Sequence, residues 1–305
     1  MTDRVTIAVL TYQRPRDLAE LLPALVRQAE EVDAAVDILI VDNDPAAGAR
    51  EQVLRAGADA PIRYRHEPAP GIAAARNRAL DECTARWLIF IDDDERPTPE
   101  WLTALLAAQA SHRAVAVVGP VVSRYDITPS RWVEAGRFFE RRRMATGTPV
   151  TVAATNNLLL DLHWVRRNGL RFDTRFGLTG GSDSLFTRQL HERGGRMVWC
   201  DEAVVIDVVP AKRLTREWVL RRAYRIGNAS SRVRLNGRTG GQRQLLRLGF
   251  AAGGALRVIA GSLRALAGLL TGRLGHRARG TRTAARGAGM LSGALGSVYS
   301  EYSRS

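Results

Sequence analysis

Cysteine is scarce in this chain and forms no pattern. Cys83 and Cys200 are the two, with no C-x-x-C spacing and no histidine cluster near either. That argues against a zinc site and excludes a disulfide framework, so two buried thiols in a reducing compartment are expected. Long hydrophobic runs are missing as well. No stretch of roughly 18 uncharged apolar residues occurs, and no ordinary transmembrane helix is expected. The apolar run at residues 5–10 follows Asp3 and Arg4 and is too short for a secretory signal core, so the chain is expected in the cytoplasm. No internal repeat is evident. A Gly-rich, Lys-containing phosphate loop is absent, which weighs against a nucleotidyltransferase.

Acids are lacking at one end only. The net charge is +14 over 305 residues. Residues 211–305 hold 18 Arg and one Lys against two acids, Glu217 and Glu301, a net of +17, which leaves −3 for residues 1–210. A mildly acidic body therefore carries a strongly basic end, whose partner should be polyanionic. The apolar content is that of an ordinary globular protein, and the length suits one large domain or two small ones.

The first two hundred residues alternate β-branched runs with amphipathic stretches. Strands are expected at 5–10, 36–41, 62–66, 87–91 and 114–122, with helices at 15–29, 46–56, 72–83 and 99–110 between them. Thr98 reads as the N-cap of the last helix, with Pro99 at its first position and Glu100 at its positive end. Such alternation implies an α/β fold with a mostly parallel sheet covered by helices on both faces, and ligands at the carboxyl ends of its strands. Residues 124–148, rich in Arg, Phe, Trp and Gly, read as a substrate loop. A second strand set (150–160, 197–200, 204–208) surrounds a helix at 183–192, and another helix begins near Leu214.

The strongest chemical signal is Trp87-Leu-Ile-Phe-Ile91 followed by Asp92-Asp93-Asp94-Glu95. Four acids at the end of a buried strand repel one another unless a cation neutralises them, and oxygen ligands favour Mg²⁺ or Mn²⁺ shared with substrate phosphates. A solvated, acid-rich turn is the alternative. Three other segments would meet the same crevice: Thr11-Tyr12-Gln13-Arg14-Pro15, Val41-Asp42-Asn43-Asp44, and Pro70-Gly71-Ile72-Ala73-Ala74-Ala75-Arg76-Asn77. Asp42, read as an exposed carboxylate, could accept from a base N–H, or cap a turn. Arg76 could pair with a diphosphate, or lie on a solvated helix face.

In this order, together with Gly180-Gly-Ser-Asp183, these motifs resemble family 2 glycosyltransferases of the GT-A fold over residues 5 to about 228. Glu67-Pro-Ala-Pro-Gly71 and Phe176-Gly-Leu-Thr-Gly-Gly-Ser-Asp183 are similar to the ExoM-like branch of succinoglycan and exopolysaccharide glucosyltransferases. The resemblance implies a Rossmann-like GT-A domain and an inverting transfer from a nucleotide-diphosphate sugar, with UDP-glucose favoured. Thr11, Tyr12, Arg14 and Asp42 would form the nucleoside pocket, with Arg76 nearby and Asp93 beside the donor. Asp92 would lie towards the ribose, and Asp94, with Asp92, would hold Mn²⁺ or Mg²⁺ against the diphosphate. Asp183 falls at the family's catalytic base, although Ser182 stands where an acid usually precedes it. The first-turn acid of a helix is Asp183's other reading. Asp207 lies near a position where relatives carry a metal ligand and is a further candidate. Arg221-Arg-Ala-Tyr-Arg225 resembles a basic helix facing the diphosphate and acceptor, or is a solvated face. The acceptor implied is a saccharide on a polyprenyl diphosphate.

Residues 1–235 are thus read as the catalytic domain, with a nucleotide-binding half to about 122 and an acceptor half beyond it. Residues 236–305 are read as a helical basic tail. There, Arg243, Arg247, Arg257 and Arg264 fall on one helical stripe about 100° wide, with Leu, Ala, Ile and Phe over the rest. That pattern suits an amphipathic helix on an anionic membrane surface, bent or divided at Gly253-Gly254 and followed by a mobile basic segment from Arg273 to Arg286. It places the protein peripherally at the inner face of the cell membrane. A helical pair folded on the catalytic domain is the alternative. No nucleic-acid module and no interleaved aromatics accompany the arginines, so nucleic acid is not the favoured partner. A nucleic-acid-binding protein or a catalytically inactive membrane scaffold are the other readings of the whole chain.

Overall fold

Short runs of Val, Ile and Leu become strands here because both faces of the sheet they form are covered. The computed structural model describes residues 4–299. Its first half runs β1 (Arg4–Thr11), α1 (Pro15–Glu30), β2 (Ala35–Asp42), α2 (Arg50–Ala56), β3 (Ile62–His66), α3 (Ile72–Glu82), β4 (Trp87–Asp92), β5 (Glu95–Pro97) and α4 (Trp101–His112). There follow β6 (Ala116–Val118), β7 (Val121–Tyr125), α5 (Arg131–Gly136), β8 (Asn157–Asp161), α6 (Leu162–Arg167), α7 (Ser182–Glu192), β9 (Met197–Trp199) and β10 (Val205–Val209). Three longer helices close the chain: α8 (Arg216–Leu235), α9 (Gly240–Leu270) and α10 (Leu274–Ala294).

Seven strands form one sheet in the order β3-β2-β1-β4-β8-β6-β9, and β5-β10-β7 form a small second sheet. In the large sheet only β8 runs against its neighbours. Alternate residues feed two cores. Val5, Ile7, Val9, Ile38 and Ile40 pack with Leu18, Leu21 and Leu25 of α1 and with Trp101 of α4. Ala8, Leu10, Leu39 and Phe90 pack on the other face with Ala75 and Ala79 of α3 and Phe186 of α7. Pro15 opens α1, where the amide it lacks has no helical partner to lose.

Packing divides the chain into two compact units. The first holds residues up to Arg124, Arg141–Gly177 and Ser182–Val208, and so contains the large sheet. The second holds Tyr125–Glu140, Leu178–Gly181 and the described residues from Val209 onward. Residues 209–235, grouped with the sheet by composition, therefore pack with the basic helices. Within this second unit α10 lies against both α8 and α9, and glycine makes both contacts. Gly254, Gly261 and Gly268, seven residues apart, are the buried residues of α9. The backbone of α10 passes so close to them that a methyl group on Gly254 would stand 2.9 Å from the Gly287 carbonyl oxygen. On the other side of α10, Gly289 and Gly293 meet the backbone of α8 at Tyr224 and Asn228. Near the start of α8, Val133, Phe139, Leu214 and Val219 form a separate small core, over which Arg216 stacks on Trp132 and Arg222 on Trp218.

Several expectations change. Thr98 does not cap α4: its hydroxyl donates to the Val204 carbonyl, and Glu100 in the left-handed conformation precedes the helix at Trp101. The strand expected at 114–122 is split at Gly119-Pro120 into β6 and β7, and the one at 150–160 shrinks to β8. The expected loop at 124–148 contains α5. Gly253-Gly254 does not divide α9, and Gly254 is part of its seam with α10. The basic segment from Arg273 to Arg286 is helical as well. By length and composition α9 is also long and apolar enough to cross a membrane, which a search for uncharged runs does not reveal because its arginines interrupt them.

The seam makes a prediction. In Gly261→Val the new side chain would begin 2.5 Å from the Ala284 amide nitrogen. The expected loss is about 2 kcal/mol, the scale of overpacking, seen as a lower melting temperature. Gly249→Ala meets nothing within 4 Å and should instead raise stability by up to about 1 kcal/mol, because alanine is the better helix former.

Candidate active site

Strand register brings the motifs of the first hundred residues to one edge. Thr11 stands opposite Asp42, Leu10 opposite Asp92, and Asp42 opposite His66, so β1 to β4 end almost level at their carboxyl termini. The acid loop leaves β4 at this edge and is tied to the start of α1. Asp93 is buried, accepting from the Thr11 hydroxyl at 2.9 Å and from Arg14 Nη1 at 2.7 Å. The same Arg14 nitrogen lies 2.8 Å from Asp94. The side chains of Thr11 and Arg14, expected to face a nucleoside, thus bond to the acid loop. Tyr12 beside them is among the exposed large apolar residues.

The electrostatics of this loop follow from burial. Removal from water, reinforced by the negative charge of Asp94 and opposed by Arg76, pushes the Asp92 carboxyl up to about 7. Burial lifts Asp93 to about 6, against the pull of Arg14. Burial and Asp92 raise Glu95, whose carboxylate accepts from the Asp92 amide at 3.3 Å and from the Asn156 side chain at 2.5 Å. Asp207 faces Glu95 across the β5–β10 pairing and accepts from Arg141 at 2.8 Å. Glu95 was given no role of its own in the sequence, and Asn156 and Arg141 were not singled out there. Glu95 was visible there as the fourth acid of the run, but the other two arrive from residues far along the chain.

These residues fit a divalent cation of one particular kind. Among the described residues no group of three His, Cys, Asp or Glu side chains is placed to enclose a metal. Like charges held out of water favour a cation, and all-oxygen donors favour a hard one, which takes one or two carboxylates and completes its shell with substrate phosphate. Asp92 and Asp94 suit that role. Asp93 does not, since both its oxygens are engaged by Arg14 and Thr11.

The β2 end departs from expectation. Asp42 is not exposed: it is wholly buried. One of its oxygens accepts from the Asp44 amide at 2.9 Å, and the other from the Ala49 amide at 2.9 Å and the Tyr64 hydroxyl at 3.1 Å. It closes the turn between β2 and α2, the alternative role its sequence allowed. Asn43 performs a similar task next door. Its amide donates to the Glu67 and Ala69 carbonyls, and its oxygen accepts from the Gly71 amide. Gly71 needs to be glycine, with φ at +107° and the Gly177 backbone 3.1 Å from where a side chain would start.

Arg76 is not on a solvated helix face either. It is buried, donates to the Ser182 hydroxyl at 2.9 Å and lies over the Phe172 ring at 5.5 Å. Its Nε has no hydrogen-bond partner. A buried guanidinium held by a neutral hydroxyl keeps its full charge for Asp92 and for any anion that reaches it. Asp183, half-buried in the first turn of α7, accepts from the Ser184 amide at 2.7 Å. Ser182 beside it is buried.

Comparison with known proteins bears on the family and the fold. The family model described as Glycosyl transferase family 2 matches residues 6–166. The chain is 35% identical over 234 residues to the succinoglycan biosynthesis protein ExoM of Rhizobium meliloti, covering 76% of this chain and 75% of that one. It is 30% identical over 131 residues to galactofuranosyltransferase GlfT1 of Mycobacterium tuberculosis, covering 41% and 42%. In fold it resembles the Pyrobaculum calidifontis mannosyltransferase PcManGT in complex with GDP-Man and Mn²⁺, at a TM-score of 0.64 and 20% identity, over 96% of this chain and 87% of that one. It also resembles S. aureus TarS 1-349 in complex with UDP, at a TM-score of 0.52 and 17% identity, over 97% and 93%. The chain spans 55% of a longer solved TarS chain.

Asp42→Ala would strand two buried amide donors and one hydroxyl, each worth about 1–3 kcal/mol when left unpaired. Chemical denaturation should show a stability loss of about 2 kcal/mol or more. Tyr64→Phe removes one partner only and should cost about 1 kcal/mol. An Asp42→Ala protein of unaltered stability would contradict the structural role.

Proposed function

Since this chain belongs to glycosyl transferase family 2 and is a glycosyltransferase, we propose that it moves a sugar, with inversion, from a nucleotide diphosphate to a saccharide built on a polyprenyl diphosphate. Its fold is the GT-A α/β fold. The observation that carries the reading is the acid run Asp92 to Glu95 at the carboxyl edge of a parallel sheet, with the buried Arg76 guanidinium bonded to the Ser182 hydroxyl and acting electrostatically on Asp92. UDP-glucose is the favoured donor and exopolysaccharide the favoured product class, supported by the similarity to ExoM.

Transfer breaks a sugar–phosphate bond, so charge grows on the departing diphosphate while the acceptor hydroxyl sheds a proton. Arg76 is suited to the first demand, because its charge is already desolvated and is oriented by Ser182 and Phe172. Asp92 and Asp94 would hold Mn²⁺ or Mg²⁺, which as a Lewis acid stabilises the same diphosphate. Arg14 keeps the loop carrying these acids against β1 through Asp93. Asp183 is proposed as the base that takes the acceptor proton; a carboxylate bonded only locally within its own helical turn can turn towards a hydroxyl. Attack from the face opposite the leaving group inverts the anomeric carbon. Thr11, Tyr12 and Asp93 are proposed to line the donor side through the loop they share.

We also propose that the enzyme works in the cytoplasm at the inner face of a membrane. The Arg-rich final third and the exposed leucines of α9 support this, and a lipid-linked acceptor would require it.

A thermal-shift panel of nucleoside diphosphates with and without Mn²⁺ tests the donor reading, because a bound ligand raises apparent stability. UDP should stabilise, and more so with Mn²⁺. Asp94→Ala should remove that metal dependence and abolish transfer. Asp183→Asn should bind donor normally and slow transfer by roughly two to four orders of magnitude. Equal UDP affinity with and without Mn²⁺ in the unaltered enzyme would overturn the metal assignment, and near-normal turnover of the Asn variant would move the base elsewhere.

A further inference from the structure

The helix α9 meets the length and composition of a membrane span, yet its packing within the second unit argues against crossing. Taking Gly254 as zero and about 100° per residue, the seam glycines Gly254, Gly261 and Gly268 fall within about 40° of one another. Leu256, Ile259, Leu263, Leu266 and Leu270 fall on the opposite side of the helix, between about 120° and 200°. These five are between 51% and 78% exposed. No charged residue lies on that half of α9 from Leu245 to Leu270. The arginines expected to mark a membrane face, Arg243, Arg247, Arg257 and Arg264, lie instead beside the glycine seam. Arg247 donates to the Ala294 carbonyl at the end of α10, and Arg257 to the Gly253 carbonyl on its own helix.

The seam runs along most of α9. Gly268 meets α10 at Arg277, Gly261 at Gly280 and Ala284, Gly254 at Gly287, and Arg247 at Ala294. The two helices are therefore antiparallel and in contact for nearly the whole length of α10. A bilayer crossing by α9 would take α10 with it, and with α10 the arginines 277, 279, 282 and 286. Arginine in the acyl core is strongly disfavoured. Crossing would require the seam to open, exposing glycine backbone along both helices.

We infer that α9 lies along the surface of an anionic bilayer, its leucine face in the outer acyl region and α10 on its water side, without crossing. The inference rests on the membrane reading proposed above and adds its geometry. Charge complementarity chooses a membrane over a second copy of this chain. The uncharged half of the helix is flanked by arginines and backed by an Arg-rich partner helix, which anionic headgroups would attract and an identical basic copy would repel.

Three variants of the full chain, each with one added cysteine, test this: Leu263→Cys in the leucine face, and Gln242→Cys and Thr271→Cys near the two ends of α9. The native Cys83 and Cys200 are buried, so an environment-sensitive NBD label should go to the introduced thiol. With phosphatidylglycerol–phosphatidylcholine vesicles, the label at position 263 should shift to the blue, and lipids spin-labelled high on the acyl chain should quench it. The labels at 242 and 271 should both be destroyed by dithionite added outside. In the triple variant Leu256→Gln/Leu263→Gln/Leu266→Gln, vesicle binding should fall at least roughly tenfold, while transfer to a soluble acceptor analogue is unchanged. Protection of one end label from dithionite would mean that α9 crosses and would overturn the inference. Vesicle binding with the label at 263 left in water would also overturn it, while leaving the membrane reading intact. If the unaltered chain does not sediment with these vesicles, the membrane reading itself fails. A dimer that the triple variant turns into a monomer would assign the leucine face to a second copy instead.

Discussion

Everything at the sheet's carboxyl edge depends on holding several acids together out of water. Carboxylates at the end of a buried strand repel one another, and burial makes each harder to ionise. Arg14 answers part of this by spanning Asp93 and Asp94, and Thr11 adds a neutral donor. Both come from the β1–α1 connection, so the shape of that loop and the charge of the next are one construction. The compensation is incomplete. Asp92 and Glu95 remain shifted towards their protonated forms.

A second constraint is steric and acts in the other unit. The three helices are joined by close backbone approach where side chains are absent. Glycine spaced every seven residues keeps one line of α9 facing α10 from Gly254 to Gly268. Dispersion contacts between backbones replace a leucine core, and the leucines of α9 are left facing outward.

The strands, helices and order of motifs in the first hundred residues were legible because β-branched runs and amphipathic stretches alternate there with little ambiguity. The place of the acid run, at the carboxyl end of β4, was legible for the same reason. The direction in which Asp42 points was not. A carboxylate after a strand can face a ligand or its own turn, and that choice is made by Tyr64 and Ala49, which only the fold brings near. Arg76 was found, but its burial was not, because nothing local to α3 announces Phe172 and Ser182. In the basic end, charge composition hid a signal that was present. Gly254, Gly261 and Gly268, with Gly280 and Gly287 after them, repeat at seven, and that spacing marks a helix–helix seam and not a mobile segment.

The position of α10 also bears on how the protein is made. It is the last of the three helices in the chain, yet it is the one that α8 and α9 both pack against. During synthesis, α9 emerges with its glycine line bare and its leucines already exposed, and nothing in the chain covers the glycines until α10 follows. The second unit must therefore assemble after its final helix is translated, whereas the sheet of the first unit, complete at β9, can fold while the remaining hundred or so residues are still being added.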